Sequence, residues 1–307
     1  MQMMAKRPVA LNPIQWLASE DGWLDFVRST DRADLLAQIK GAGYGAVSGV
    51  PGVSSTAELR VLLGATGLVA APGYLSFDLP TDESDLGALV ERSGRTARDQ
   101  AELGLHDLVV AGSMSKEAPR VRHPARRWAA ETKRLTLLGD VLARLADVTL
   151  AEGVRPALYP HVGTWIEIEE TRALLDRFPA DTLGLCPDTG HVSWTGADVY
   201  ALIADYASRI PVVHLKDCSL SVASSCRAVD KSYQDTVLSG LWSEPGPGEL
   251  DLEGMLARLP TSYAVWLVVE VDRPAAATPL ESAEVSAAWM SAHVRCADEA
   301  RPGQGSR

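Results

Sequence analysis

Short apolar runs alternate with amphipathic stretches along almost the whole chain. This alternation is typical of repeated βα units, in which each buried strand is followed by a covering helix. Eight runs are predicted to be strands: 9–16, 45–50, 67–77, 107–114, 155–162, 183–188, 212–216 and 264–271. Eight is the number that closes a parallel barrel, so the pattern predicts an α/β fold that forms a single (β/α)8 TIM barrel.

Helical spacing fills the intervals between these runs. Ser55 followed three residues later by Glu58 forms a capping-box motif, which predicts a helix beginning there. The other predicted helical stretches are 33–43, 126–152, 196–210 and 280–294. Residues 218–259 break the rhythm with a long insertion between the seventh and eighth strands. A loop of this length favours a lid or substrate-binding insertion, with a surface excursion over a hydrophobic edge as the alternative.

Domain organisation follows from the same pattern. We predict an N-terminal extension over 1–8, one barrel domain over 9–295 and a disordered tail over 296–307, which is polar and rich in Gly and Pro. No linker of domain-separating length interrupts the series. No stretch approaches the roughly 20 apolar residues of a membrane helix, and the first residues do not resemble a signal peptide.

Composition and charge narrow the class of partner. The 307 residues are 46% hydrophobic and carry a net charge of −11, with a pI near 5.1. Binding to a phosphate backbone requires a clustered basic surface, so a nucleic-acid partner is excluded. The four cysteines form no CxxC pair, which favours reduced thiols and a cytoplasmic location. A homo-oligomer is left open.

Three predicted strands end in side chains that bind metals. Asp188 ends the sixth strand, His214 lies in the seventh and Glu270 ends the eighth. A lone aspartate at a strand end is commonly a helix cap or an ion-pair partner. Parallel strands end at one mouth of a barrel, so the three together predict a site for one divalent ion. Two carboxylates and an imidazole favour Mn²⁺, with Co²⁺, Mg²⁺ and Zn²⁺ as alternatives.

Polar neighbours extend this site. His191 lies where it can contact a substrate hydroxyl or cap the following helix, and both readings stay open. Lys216 lies two residues after His214, so strand alternation puts both side chains on one side and gives Lys216 a role as an acid. Asp217 is expected to form an ion pair or to hold its loop.

The motifs DTGH (188–191), HLKD (214–217) and VEVD (269–272) resemble, in this order, the xylose isomerase-like TIM-barrel superfamily of sugar phosphate isomerases and epimerases. The opening LNPIQW (11–16) and the segment 233–249 resemble the inosose dehydratase group within it. This resemblance covers 9–295 and implies metal-ligand roles for Asp188, His214 and Glu270. Substrate contacts are assigned to Trp16, Tyr159 and Trp242.

Two positions depart from the family pattern. Tyr159 stands at the end of the fifth strand, where the family places a glutamate or histidine. His161 and Glu167 are close enough to substitute, and His161 is favoured because Gly163 and the following threonine match the family's GT. Ser48 stands where an acidic residue is common in the second strand.

The resemblance implies a metal-dependent lyase or isomerase that acts on a keto-cyclitol or keto-sugar through an enolate, similar to inosose dehydratase. Glu270 or His161 would remove a proton, and Lys216 or His191 would protonate a leaving hydroxyl or return a proton to carbon. The substrate class is a small polyhydroxylated ketone. The alternatives are a ketose 3-epimerase or isomerase, a C-glycoside-cleaving enzyme and a non-catalytic barrel homologue.

Overall fold

The computed structural model describes residues 7–53, 55–124, 126 and 128–294. Residues 1–6 of the predicted extension and the whole predicted tail 296–307 lie outside the described residues. The described strands are β1 Val9–Leu11, β2 Ala46–Val47, β3 Val69–Ala70, β4 Tyr74–Phe77, β5 Asp107–Gly112, β6 Arg155–Tyr159, β7 Gly184–Leu185, β8 Val212–Leu215, β9 Asp217–Cys218, β10 Trp242–Ser243 and β11 Trp266–Val269.

Helices follow the strands in the expected order. The described α-helices are α1 Arg32–Gly41, α2 Thr56–Thr66, α3 Glu83–Glu102, α4 Pro119–Arg122, α5 Thr132–Ala151, α6 Ile168–Leu175, α7 Thr189–Trp194, α8 Val199–Tyr206, α9 Leu220–Ala228, α10 Tyr233–Leu238, α11 Leu252–Leu256 and α12 Pro279–His293. Two 3₁₀ helices cover Pro13–Leu17 and Ala207–Arg209. Ser55 caps α2 as predicted, since its hydroxyl accepts from the Glu58 amide at 3.2 Å.

Parallel pairing closes the strands into a barrel. One set of neighbours runs β3-β2-β1-β11-β8 and the other runs β4-β5-β6-β7. β3 and β4 together form the third barrel strand. Between β7 and β8 the gap is bridged by parallel pairing of Asp188 with His214, where the His214 amide donates to the Pro187 carbonyl at 3.0 Å. Two site residues therefore complete the barrel wall.

Prolines shorten two of the predicted strands. The third strand was predicted to be continuous over 67–77, but pairing is interrupted around Pro72, which has no amide hydrogen to donate to a neighbour. The first strand was predicted to reach residue 16 and instead ends at Leu11. Pro13 occupies the first position of a 3₁₀ helix, where a missing amide hydrogen costs nothing.

The core forms two layers. The larger layer lies between the strands and the helices and is rich in leucine, valine and isoleucine. The smaller layer consists mainly of small residues, namely Ala10, Ala46, Ala71, Val109, Ala111, Ala157, Tyr159, Cys186, Val212 and Val268. Successive strand residues point to opposite faces, so residues two positions after members of the smaller layer point the same way. This spacing brings polar side chains to the carboxyl-terminal mouth.

The segment between β8 and β11 is held by the buried carboxylate of Asp217. Its oxygens accept from the backbone amides of Cys218, Gly246 and Leu250 at 2.8, 3.0 and 3.1 Å. A Cβ atom on Gly248 would lie 2.1 Å from Asp217 Oδ1, so only glycine allows this close approach. Of the two expected roles for Asp217, the described contacts favour holding the loop.

None of the helices in the described part of the chain has both the length and the apolar character that a membrane span requires.

Candidate active site and metal centre

Asp188 lies at the start of α7 and is fully buried. Its Oδ1 accepts from the His191 amide at 2.7 Å, which caps the helix. Its Oδ2 accepts from the Tyr159 hydroxyl at 2.6 Å. Helix capping, the ordinary structural role of such an aspartate, therefore engages one oxygen, and the second faces the barrel mouth.

His214 and Glu270 approach each other from the neighbouring strands β8 and β11. His214 Nδ1 lies 2.8 Å from Glu270 Oε2. Neither ring nitrogen of His214 makes a hydrogen bond of acceptable geometry within the described part of the chain. One ligand atom each from Asp188, His214 and Glu270 lies within 4.8 Å of the others. Buried polar atoms without partners are rare, so this arrangement suits a bound cation.

Lys216 is fully buried among carboxylates. Its ammonium lies 2.6 Å from Asp272, 2.8 Å from Glu270 and 3.6 Å from Asp188. Burial lowers the pKa of Lys216, but these carboxylates outweigh burial and hold that pKa well above its ordinary value. Burial opposes ionisation of Glu270, yet Lys216 and His214 pull the pKa of Glu270 well below its ordinary range.

The charges of this cluster favour a dication. Three carboxylates and one ammonium, when all are ionised, leave two negative charges uncompensated in a buried space. Burial, which the attraction of Lys216 only partly offsets, raises the pKa of Asp272 to about 6 and also raises the pKa of Asp188. A divalent cation would neutralise the excess charge, because charges interact strongly where water is excluded. The donor set therefore fits a divalent metal.

Two further histidines lie beside the cluster. The rings of His161 and His191 are tilted at 37° to each other, with centroids 3.6 Å apart. Burial lowers the pKa of His161 to about 3 and holds that of His191 well below its ordinary value, so both rings are neutral. His161 Nδ1 lies 2.8 Å from the Val162 carbonyl, which can only accept, so His161 carries its proton on Nδ1.

His161, His191 and Asp272 form a second group with ligand atoms within 4.8 Å. The Lys216 ammonium already lies 3.2 Å from His191 Nε2 and 2.6 Å from Asp272 Oδ1. That position is taken by a protein cation, so the Asp188, His214 and Glu270 group is the better candidate for a metal.

Tyr159 extends into the same space from the end of β6. Besides its bond to Asp188, its hydroxyl donates towards Glu270 Oε1 at 3.3 Å. Its ring lies 4.9 Å from that of His214. Burial, reinforced by the negative charge of Asp188, raises the pKa of Tyr159 well above its ordinary value, so the phenol is neutral. Tyr159, at the end of the fifth predicted strand, therefore contacts all three candidate ligands: its hydroxyl faces Asp188 and Glu270, and its ring packs against His214.

Aromatic residues of the inserted segment cover this site. Trp242 lies edge-on to His191 with centroids 4.9 Å apart, and the Lys216 ammonium lies 4.9 Å from the Trp242 ring centre. Tyr233 stacks on Trp23, from the loop after the first strand, at 5.5 Å. The insertion and that loop thus meet above the histidines.

Three other residues that the sequence singles out, Trp16, Ser48 and Glu167, lie farther from the cluster. The Trp16 indole donates to Gln38 at 3.2 Å and packs against the outer core, so its substrate contact stays a prediction. The Ser48 hydroxyl donates to the Pro72 carbonyl at 2.8 Å. Glu167 is buried beside His161 and His191, where the three residues line one small cavity.

Asn12, Asp272 and Tyr233 were given no role from the sequence. The Asn12 side-chain amide donates to Glu270 Oε2, and the Asp272 carboxylate forms an ion pair with Lys216. Asn12 follows Ala10, a residue of the smaller core layer, by two positions, and Asp272 follows Glu270 by two. Strand periodicity alone could have found both. Tyr233 belongs to the insertion, and no strand periodicity points to it.

The closed parallel barrel defines the fold as a TIM barrel. The cluster of carboxylates and imidazoles lies at its carboxyl-terminal mouth, which is where TIM-barrel enzymes have their active sites. A family model described as xylose isomerase-like TIM barrel matches residues 36–293. The chain belongs to this family.

Comparisons with individual proteins agree with this assignment. The rhizopine catabolism protein MocC of Rhizobium meliloti is 31% identical over 288 residues, which cover 90% of this chain and 85% of that protein. An inosose dehydratase of Geobacillus kaustophilus is 29% identical over 92% of this chain and 93% of its own length. The crystal structure of the zinc-binding IolI protein aligns with a TM-score of 0.66 at 17% identity, covering 94% of this chain and 98% of that one.

These relatives place the chain among sugar-modifying enzymes. Asp188, His214 and Glu270 of this chain form a group that could hold a metal ion.

Proposed function

We propose that this protein is a divalent-metal-dependent lyase or isomerase that acts on a keto-cyclitol or keto-sugar through an enolate, in the manner of an inosose dehydratase. The proposal rests on one observation, the convergence of Asp188, His214 and Glu270 beside a buried ammonium and two neutral imidazoles. Similarity to the inosose dehydratase of Geobacillus kaustophilus supports a keto-cyclitol as the substrate. Mn²⁺ is the ion that we expect, given two carboxylates and one imidazole.

The proposed ligands are Asp188 Oδ2, a ring nitrogen of His214 and a carboxylate oxygen of Glu270. A divalent ion held there supplies positive charge next to the substrate carbonyl, which lowers the barrier to removal of the adjacent C–H proton. Tyr159 and Asn12 orient the ligand carboxylates by donating hydrogen bonds to them. In other metal sites, loss of a hydrogen-bond partner of a ligand commonly lowers metal affinity by about 10- to 100-fold.

Among the groups of the site, we assign the role of base to His161 for its free lone pair, although burial lowers the pKa of its ring to about 3. Its Nδ1 proton is committed to the Val162 carbonyl, so its Nε2 carries a lone pair. Glu270, the other candidate, already accepts from Lys216 and Asn12. We therefore assign proton abstraction to His161 Nε2 and the ligand role to Glu270.

Lys216 is the proposed proton donor. Its ammonium is held in the charged form by Asp272 and Glu270, and it lies beside His191. Donation to a leaving hydroxyl completes a dehydration, whereas return of a proton to carbon completes an epimerisation. Trp242, which lies edge-on to His191, and Tyr159 would contact the substrate ring.

The test is exchange of the proton next to the carbonyl with solvent deuterium. Incubation of the Mn²⁺-loaded protein with a keto-inositol in D₂O should cause exchange that mass spectrometry detects. Dehydration would in addition produce a conjugated dione that absorbs in the ultraviolet. His161→Asn should slow exchange by about 10²-fold or more, the usual contribution of a positioned base.

His106→Asn is the matched control, because His106 is exposed just before β5, at the opposite end of the barrel. It should leave exchange unchanged. Exchange without turnover to a dione, accompanied by a new stereoisomer, would identify an epimerase instead. Absence of exchange across keto-inositols and ketoses, with one metal bound per chain, would refute the enolate mechanism.

A further inference from the structure

A small cavity of about 10 Å³ lies beside the two adjacent histidines, lined by His161, His191, Glu167, Ile168 and Val192 among others. This volume is about that which one water molecule requires. Polar residues and apolar residues share its wall. The cavity therefore meets the first two conditions for an internal water, which are sufficient room and polar partners.

Two buried polar atoms belong to residues of this wall and have no hydrogen-bond partner among the described residues: Glu167 Oε1 and His191 Nδ1. Glu167 is 3% exposed and His191 is 1% exposed. A buried polar atom left without a partner costs about 1–3 kcal/mol. Two such atoms around one water-sized space are therefore expected to share a ligand.

The hydrogen-bonding roles of the two atoms are complementary. Lys216 can only donate, and its ammonium lies 3.2 Å from His191 Nε2, so Nε2 must offer a lone pair. A neutral imidazole with an accepting Nε2 carries its proton on Nδ1. His191 Nδ1 is thus a donor that lacks an acceptor, and Glu167 Oε1 is an acceptor that lacks a donor.

We propose that one water molecule in this cavity accepts from His191 Nδ1 and donates to Glu167 Oε1, so that Glu167 fixes the Nδ1–H tautomer of His191. Glu167 is then a positioning residue, since it acts on the site through His191. The Glu167 backbone amide takes no part in this link, because it donates to Glu170 Oε2 at 2.9 Å. Burial, only partly offset by Arg120, raises the pKa of Glu167 to about 7, and a hydrogen bond from water would stabilise its charged form.

This link determines which ring nitrogen of His191 carries the proton. With the proton on Nδ1, Nε2 stays an acceptor for Lys216 and holds that ammonium beside Glu270 and Asp272. With the proton on Nε2, two donors would face each other at 3.2 Å. The catalytic meaning of the link rests on the proposed function, but the tautomer itself does not.

The test is the tautomeric state of His191, read by NMR from long-range ¹H–¹⁵N couplings in protein labelled with ¹⁵N-histidine. The His191 signals are assigned by their loss in His191→Asn. In the wild-type protein we expect protonated Nδ1 and unprotonated Nε2. Glu167→Gln keeps an accepting oxygen and should retain this pattern, whereas Glu167→Leu removes it and should shift or broaden the His191 signals.

Activity provides a second readout on the same variants. Glu167→Leu should lower kcat by about 10-fold or more with KM little changed, and Glu167→Gln should recover most of the loss. A wild-type His191 protonated on Nε2, or an unchanged His191 spectrum in folded Glu167→Leu, would overturn the proposal. The wild-type spectrum decides even if Glu167→Leu fails to fold, and neither NMR outcome depends on the substrate being identified.

Discussion

Asp188 serves two partners at once. One oxygen caps α7 through the His191 amide, and the other accepts from Tyr159 at the barrel mouth. Substitution by alanine removes both functions, whereas asparagine is a good cap that retains the first. The pair of variants therefore separates helix stability from metal binding.

We expect Asp188→Ala and Asp188→Asn both to lose stoichiometric metal, because each removes a carboxylate ligand. Asp188→Ala should also lose about 1 kcal/mol of folding free energy from the missing cap. Metal content by elemental analysis and denaturant unfolding measure the two effects.

Asp82→Ala is the matched control, since Asp82 is an exposed cap that accepts from the Asp85 amide at 2.9 Å. It should lose similar stability and keep its metal. Retention of one ion per chain by both Asp188 variants would show that the ligand assignment is wrong.

Residue types and strand order were sufficient to predict that Asp188, His214 and Glu270 lie close together, because each lies at or near a strand end. The position of Lys216 beside Glu270 also agrees with strand alternation. The pairing of Lys216 with Asp272 and the contact between Tyr159 and Asp188 could not be predicted in this way. Both join neighbouring strands, β8 with β11 and β6 with β7, and depend on strand register and side-chain reach, which the sequence pattern does not contain.

At the scale of elements, the inserted segment depends on Asp217. Three backbone amides of Cys218, Gly246 and Leu250 converge on its carboxylate. Each buried amide left without an acceptor costs on the order of 1–3 kcal/mol. The anchor therefore holds the turn that follows Trp242 against the barrel.

Asp217→Ala should accordingly lower the free energy of unfolding by about 3 kcal/mol or more. Amide hydrogen exchange should accelerate at Gly246 and Leu250, which lose their acceptor. Asp251→Ala is the comparison variant, because Asp251 is a nearby exposed cap that accepts from the Gly254 amide at 2.8 Å. Equal exchange at Gly246 in the two variants would contradict the anchoring role.

The order of the elements was predictable, because hydrophobic periodicity marks each strand and helix. The lengths of the strands were less predictable than their order. Pro72 interrupts the third strand and Pro13 begins a 3₁₀ helix where the first strand was expected to continue. Apolar side chains on both sides of a proline continue the buried pattern, although the backbone pairing stops.

For the molecule as a whole, binding of the proposed metal would be coupled to folding. A ligand present at 100 times its Kd stabilises the folded state by about 2.7 kcal/mol. For a chain of this size, such a gain raises Tm by roughly 3–10 °C. We expect Mn²⁺ to raise the Tm of the chelator-treated protein by this amount in calorimetry.

Asp188→Asn should show no such increase, since it keeps the cap and loses the ligand. An equal rise in Tm for both proteins would mean that the ion binds elsewhere, for example to the acidic surface. The net charge of −11 makes this control necessary.

The two-residue spacing between the small interior side chains and the polar mouth has a consequence for how such a protein can change over time. Ala157 and Cys186 fill the barrel interior, whereas Tyr159 and Asp188, two positions further along, bring polar groups to its mouth. The interior packing and the polar groups of the mouth thus depend largely on different positions of the same strands. A lineage can therefore exchange the polar groups of the mouth one strand at a time without rebuilding the interior.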